Sequence, residues 1–384
     1  MNVYHREMSY YICGGVETRG DLMEQKQPKY YQLMTDLKEK VTKGEIRPGD
    51  KLPSENELSA AYQISRQTVR KALAVLDSEG YIYAEHGRGT FCRERVMHTG
   101  NSRNIAVVTT YLSDYIFPRV IQGIDEVLTR EGYSIILKNT KNSRSQEAKC
   151  LEELLQKDIE GIIIEPSKSH IYCRHTELYG KLEEYGIPYV FIQGCFDQLS
   201  EKPKVLMDDC LGGYLITKYL IETGHRNIIG VFKSDDMQGQ NRHRGYVQAL
   251  QEAGLVYDPD RVIWFYTEDR RVHPYDGICR LVQKQAAMDS VVCYNDQIAM
   301  KVIQALQDMG KRVPEDISVT GYDNSFMAAG DGFHLTTIVH PQEKLGEMAA
   351  ELLLHLIHHK EGLESEHILI EPELVIGNSC LDRR

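Results

Sequence analysis

Apolar and polar positions change their period several times along this chain. Tyr31, Met34, Leu37 and Val41 recur at three and four residues, which predicts an amphipathic helix with one buried stripe. Gly44, Pro48 and Gly49 break that period and predict a loop, followed by a short extended Leu52-Pro53. Ser54-x-x-Glu57 is a capping box, in which each side chain satisfies an orphan amide of a helix's first turn. It predicts a second helix with Leu58 and Ala61 facing inward. Gln63-Ile64-Ser65 predicts a tight turn, Ser65 caps a third helix, and Val69, Leu73 and Leu76 form its buried stripe up to Gly80. Residues 81–84 and 89–91 read as two short strands around Glu85-His86-Gly87-Arg88, a hairpin.

Residues 93–103 are polar and basic and read as a linker. Beyond them, strand-like apolar runs alternate with helical patterns. Strands are predicted at 105–110, 134–138, 161–165, 189–193, 204–208, 228–232, 262–266, 290–293, 317–322 and 336–340. Helices are predicted to begin near 117, 145, 177, 212, 241, 276, 296 and 342. This alternation implies parallel sheets covered by helices on both faces. So many strands exceed one core, so two α/β subdomains are expected. The lone tryptophan, Trp264, lies in a strand-like run and is expected in the core. Residues 1–27 show no sustained period and read as a disordered extension or a misassigned start.

The 384 residues suit two or three domains. No apolar run is long enough to span a membrane. The N-terminus lacks a basic region followed by an apolar core, so a cytoplasmic, nucleoid-associated protein is expected. Nine cysteines include no C-x-x-C pair, which argues against a zinc site or a disulfide framework. The net charge of −11, taken alone, opposes nucleic acid. However, residues 28–92 hold ten basic and nine acidic residues, and the acidic excess falls after residue 92.

Two helices joined by a tight turn, with a hairpin behind, describe a winged helix-turn-helix. With 69, 73 and 76 inward, Arg66, Gln67, Arg70 and Lys71 face outward at the start of the third helix, the end that enters a major groove. Arg reads guanine with two donors, and Gln reads adenine. The hairpin tip presents His86, Gly87, Arg88 and Gly89, with Arg88 suited to a minor groove. Lys29 and the amides around Ser54 suit phosphates. The alternative is a protein-interaction module whose arginines are merely solvated. The pieces G-x-I-x-P-G-x-K-L-P-S-E-x-E-L, S-R-x-T-V-R-K-A-L and G-x-G-T-F resemble the GntR family over residues 28–92. That resemblance implies DNA contacts from Glu55, Arg66, Thr68, Arg70, Gly87 and Gly89, with Lys29 and His86 beside them.

From residue 104 on, three motifs stand out: Arg242-x-x-Gly245-Tyr246, Cys293-Tyr294-Asn295-Asp296-x-x-Ala299, and Val319-x-Gly321-Tyr322-Asp323-Asn324 followed by Leu335-Thr336-Thr337-Ile338-x-His340-Pro341. A carboxylate such as Asp323 accepts from two neighbouring hydroxyls, Asn295 donates and accepts at once, and Arg242 offers a rigid fork of donors. Asn295 equally suits a helix N-cap, and Asp323 a turn. The motifs resemble the LacI/GalR regulators and periplasmic sugar-binding proteins. The resemblance implies a periplasmic-binding-protein-like fold of two doubly wound parallel-sheet subdomains over 104–384, with these three residues lining the cleft between them. Tyr115 and Phe117, on the loop after the first strand, are aromatic candidates for stacking on a sugar or for ordinary loop packing. Glu165, Lys233 and His340 are further candidates.

A GntR-type module on a LacI-type domain resembles the arabinose repressors, as do the stretches TTYLSDYIFPRVIQGIDE, DIEGIIIEPSKS and CYNDQIAMKVI. The resemblance implies a repressor that L-arabinose releases from a double-stranded operator. A homodimer is expected, since one winged helix reads too few base pairs. The alternatives are a regulator answering another sugar or sugar derivative, and a sugar-converting enzyme. No G-x-S-x-G, H-E-x-x-H or phosphate loop supports the enzyme, so no catalytic, metal or cofactor residue is nominated. His358-His359 ends a helix and is expected to face solvent.

Overall fold

Helix ends in the first part of the chain are set by side chains that satisfy backbone groups. In the computed structural model, which describes residues 28–42, 45–78, 80–85, 87–93, 102–112, 116–326, 329–330, 332–359 and 366–384, α1 spans Lys29–Thr42, α2 Glu55–Tyr62 and α3 Arg66–Ser78. The predicted extension 1–27 and most of the linker lie outside the described residues. The capping box forms: Ser54 N donates to Glu57 Oε2 at 2.7 Å, and Glu57 N donates to Ser54 Oγ at 3.3 Å. Gln63 ends α2 with a left-handed φ of 51°, and Ser65 Oγ accepts from Thr68 N at 3.2 Å to start α3. The stripe of α1 differs from the expectation: Tyr31 is 41% exposed, and Leu33 is buried in its place beside a partly buried Tyr30. Tyr31 stands about 100° around the helix from Tyr30, just off the inner face. Ala61 is likewise exposed, leaving Leu58 as the buried anchor of α2. Strands β1 (Ile82–Glu85) and β2 (Gly89–Cys92) pair antiparallel and close the cluster with Ile82 and Cys92.

A second compact unit follows residue 97. Its elements are β3 (Asn104–Thr109), α4 (Phe117–Arg130), β4 (Ser134–Asn139), α5 (Arg144–Leu154), β5 (Gly161–Ile164), α6 (Thr176–Glu184), β6 (Tyr189–Ile192), β7 (Lys204–Met207), α7 (Asp209–Glu222), β8 (Ile228–Lys233), α8 (Met237–Glu252), β9 (Val262–Phe265), α9 (His273–Gln283), β10 (Ser290–Cys293), α10 (Asp296–Asp308), β11 (Ser318–Thr320), β12 (Ala329–Gly330), β13 (Phe333–His334), β14 (Thr337–Val339), α11 (Gln342–His358), β15 (His367–Ile370) and β16 (Glu373–Val375). Each predicted strand has its counterpart, while β15 and β16 and the two-residue β12 and β13 were not foreseen. Helices α7, α8 and α9 begin three or four residues before their predicted starts. The Asp208 and Asp236 side chains cap α7 and α8 by accepting from Leu211 N and Gly239 N, a role the periodicity does not reveal.

The strands form two parallel sheets, in the orders β15-β7-β6-β5-β3-β4 and β11-β10-β8-β9, each the centre of one lobe. The chain crosses between lobes three times: from β7 to α7, which packs on α8; from β14 to α11, which packs on α4; and from β15 to β16, which pairs with β14. All three crossings lie at one edge, since β7 and β15 end the first order and β14 bridges to β11 through Thr336 and Thr320. Strands β4 and β9 form the opposite edge. Each lobe is clamped by a helix crossing that only glycine permits. A Cβ on Gly123 or Gly346 would lie 2.1 Å from the Glu343 or Val120 carbonyl oxygen. On Gly213 or Gly245 it would lie 2.1 or 2.0 Å from the Arg242 or Cys210 oxygen. Trp264 sits in β9, partly buried against Phe232 and His243 rather than enclosed in the core. His358 and His359 are exposed at the end of α11.

Candidate functional site

The winged helix gathers most of its nominated residues on α3 and the hairpin. Arg66, Gln67 and Arg70 are exposed on α3, and Lys29 is exposed at the start of α1. Arg70 Nε donates to both carboxylate oxygens of Glu55, at 3.0 and 2.9 Å, so α2 orients the guanidinium. Thr68 is half-buried, with its hydroxyl against Ser65 Oγ at 2.8 Å. Ser54 is committed to its cap. Lys71 turns towards α1, with its ammonium 4.1 Å from the centre of the Tyr30 ring. At the hairpin, Gly87 takes a φ of 77° that lets the chain turn, and Gly89 leaves room for the Lys51 side chain, which a Cβ would meet at 2.6 Å. Arg88 is exposed, paired with Glu85 at 2.5 Å and lying over the Phe91 ring. His86 lies outside the described residues. Lys51, beside the wing, escaped the sequence reading because its place depends on its bridge to Phe91.

In the second unit, a cleft of roughly 780 Å³, open solvent included, runs between the lobes. Phe117, Glu165, Lys233, Arg242, Asn295, Asp323 and His340 all line it, so every nominated residue that is described comes to one place. Tyr115 lies outside the described residues. Arg242 is held at three points: its Nε donates to Asp209 Oδ1 at 2.8 Å, its Nη1 donates to the Tyr294 carbonyl at 2.6 Å, and its guanidinium lies 3.5 Å from the centre of the Tyr322 ring. Asp323 Oδ1 lies 4.0 Å from the same guanidinium. Lys233 donates to Asp236 Oδ2 at 2.9 Å and lies 3.4 Å from Asp235, while the Tyr294 hydroxyl donates to Asp236 at 2.7 Å. Asn295 is the N-cap of α10, where its Oδ1 accepts from Ile298 N at 3.0 Å, and it also lines the cleft.

Asp323 has a φ of 105°, where an L-residue is strained. Asp296 pins that loop: it accepts from Ser325 N at 2.7 Å and from the Thr337 hydroxyl at 2.8 Å. Burial pushes the Glu165 carboxyl up to about 7, against the lowering effect of hydrogen bonds from the Thr110 amide and hydroxyl. Burial would depress the Lys233 ammonium, but Asp236 and Asp235 outweigh it and raise the group above its usual range. Burial, helped by the charge of Arg242, pushes His340 down to about 3 and keeps it neutral. Its Nε2 meets Gln193 Oε1 at 3.0 Å, so Nε2 carries the hydrogen and Nδ1 remains an acceptor. Sequence reasoning missed Asp209, Asp236, Gln193, Tyr111 and Gln238. Asp209 and Asp236 open or cap helices beside β7 and β8, the one signal that could have found them. Among the described residues, no group of histidine, cysteine or carboxylate side chains could hold a metal ion. No helix there is long and apolar enough to cross a membrane.

Residues 29–92 match the bacterial regulatory proteins of the gntR family, and residues 217–380 match the periplasmic binding protein-like domain. The chain is 38% identical over 367 residues to the arabinose metabolism transcriptional repressor of Halalkalibacterium halodurans, covering 93% of this chain and 97% of that one. It is 37% identical over 361 residues to the repressor of the same name from Geobacillus stearothermophilus, covering 93% and 99%. Among solved structures, it shares its fold with the transcriptional regulator CelR in complex with cellobiose (TM-score 0.66, 22% identity, 85% of this chain and 100% of that one). It also resembles a LacI family transcriptional regulator from Enterococcus faecium with bound ribose (TM-score 0.61, 26% identity, 73% and 100%).

Proposed function

This chain belongs to the arabinose metabolism transcriptional repressors, a gntR-type DNA-binding domain joined to a periplasmic-binding-protein-like domain, and on that premise we propose how its two sites serve repression. In the cytoplasm, two copies associate through residues 104–384 and present the winged helices of residues 28–92 to a palindromic operator. The start of α3 enters the major groove with Arg66, Gln67 and Arg70, and Arg88 enters the minor groove beside it. L-arabinose occupies the cleft, touches both lobes, and so favours the conformation that leaves the operator.

The observation that carries the effector reading is the charge balance of the cleft. Lys233 faces Asp235 and Asp236, and Arg242 faces Asp209 with Asp323 nearby. Two cations thus face four carboxylates, so neither cation has spare charge for an anion, and the site offers oriented donors and acceptors to an uncharged polyol. The test is fluorescence anisotropy of a duplex that the protein selects from random DNA, titrated with a panel of monosaccharides. L-arabinose should release the duplex, and the duplex should weaken arabinose binding by the same factor. Release by a different pentose alone would reassign the effector, and release by no sugar would overturn the cleft reading. Arg70→Ala should weaken specific binding by about tenfold to a hundredfold and leave arabinose affinity unchanged.

A further inference from the structure

The cleft is closed along one edge by covalent chain and along the other by noncovalent contacts. The three crossings run at the edge of β7, β15 and β14, where His340 meets Gln193. The far edge belongs to β4 and β9. There the loop after β9 reaches the opposite lobe at three places. Thr267 Oγ1 accepts from Asn142 Nδ2 at 2.7 Å. Glu268 pairs with Lys168, which also lies 3.7 Å from Asp235. The Arg270 guanidinium lies 4.3 Å from the centre of the Tyr111 ring, one side chain from each lobe. Arg270 and Tyr111 line the cleft and are partly exposed, whereas Glu165, Arg242 and Asp323 are buried.

We propose that residues 267–270 are the door of the cleft, and that Arg270 against Tyr111 limits the effector to a single sugar ring. This rests on the sugar reading of the cleft and deepens it. A ring held by the buried anchors has the crossings on one side and the Arg270–Tyr111 stack on the other. A second ring cannot leave past the crossings, which are backbone. It must extend through the open edge, where the stack stands. The links from Thr267 to Asn142 and from Glu268 to Lys168 hold the loop on the opposite lobe, so the stack stands shut across that edge until those links part.

Isothermal titration of the full-length protein with L-arabinose and with arabinobiose, its linked dimer, tests the door. Wild type should bind the monosaccharide and exclude the dimer. Arg270→Ala and Tyr111→Ala should each admit the dimer and weaken the monosaccharide by about two- to fivefold, the scale of one exposed cation–π contact. Arg270→Lys keeps the cation and should keep the exclusion. Both side chains are partly exposed, and the two positions test one wall independently. The door is overturned if wild type binds the dimer as tightly as the monosaccharide. It is equally overturned if both alanine variants bind the monosaccharide and still exclude the dimer. Wild type binding no monosaccharide would overturn the sugar reading and the door with it, whereas failure of the door alone leaves the monosaccharide titration intact.

Discussion

The two lobes of the cleft share one helix crossing and differ in what stands on it. Helix α11 begins at Gln342, and α7 begins at Asp209; the glycine of each crossing, Gly346 or Gly213, comes four residues later. Gly346 faces the carbonyl of Val120, three residues before Gly123, and Gly213 faces that of Arg242, three residues before Gly245. Position for position, Val120 corresponds to Arg242 and Gln342 to Asp209. Val120 is buried in the apolar cluster of its lobe, while Arg242 is buried as an ion pair. The backbone solution is therefore independent of the chemistry placed on it. One lobe uses the position for packing, and the other uses it to fix a charged fork inside a cleft. A buried charge is tolerated only when paired, so Asp209 is part of the site although it does not line it.

The largest expected effect comes from converting one lobe into the other. Arg242→Val strands Asp209 and should cost about 3–5 kcal/mol in denaturant unfolding. Adding Asp209→Gln copies the first lobe and should recover most of that stability while restoring no sugar binding. Failure to recover stability would show that the two positions are not equivalent. Next, Gly346→Ala and Gly245→Ala should each cost about 1–3 kcal/mol by forcing the helices apart. Only Gly245→Ala should also weaken sugar binding, because it displaces the helix that carries Arg242; equal losses would erase the contrast between lobes.

The smallest expected effect concerns the first lobe's own contribution, Glu165. Its folded-state value, about 7, lies above that of an exposed carboxyl. Its contribution to stability is therefore fully present at acid pH, below the unfolded value, and is lost as pH rises through about 7. If Glu165 accepts from the sugar, binding has the opposite sign, since the ionised carboxylate is the stronger acceptor. Arabinose affinity should rise by about tenfold between about pH 6 and 8, following the ionised fraction, and Glu165→Gln should flatten the profile. A wild-type profile flat across neutrality would remove Glu165 from the acceptor set.

The strand and helix alternation was legible because buried parallel strands are short apolar runs. The final strands were not, because β15 and β16 have exposed positions that dilute the signal, and their partners lie more than a hundred residues away in β7 or across α11 in β14. Asn295 and Asp323 stood out as ligand-type residues at element ends, where open α/β sheets bind, and Arg242 stood out near a predicted helix start, although α8 begins five residues before it. Asp209 and Tyr111 did not, since an acidic first helical residue and a loop tyrosine are ordinary until the fold sets one beneath Arg242 and the other under Arg270. Lys71 shows the converse: its outward place on α3 was readable, but its turn towards Tyr30 depends on another helix.

The lobes are interleaved along the chain, and that orders their birth. The first lobe opens at β3 but closes only with α11 and β15, whose Leu345, Leu353 and Ile370 complete its apolar cluster. A ribosome that has delivered β3 through β7 has made a sheet with one face covered by α4 alone. The second lobe must then emerge in full before that cover is complete. The earliest lobe to appear is thus the last to finish, and a chain cut short just after β14 would keep its ligand anchors while lacking the helix that shields the other half. Such fragments should be insoluble where complete chains are not, and production of this protein should be sensitive to stalling across the codons for residues 209–340.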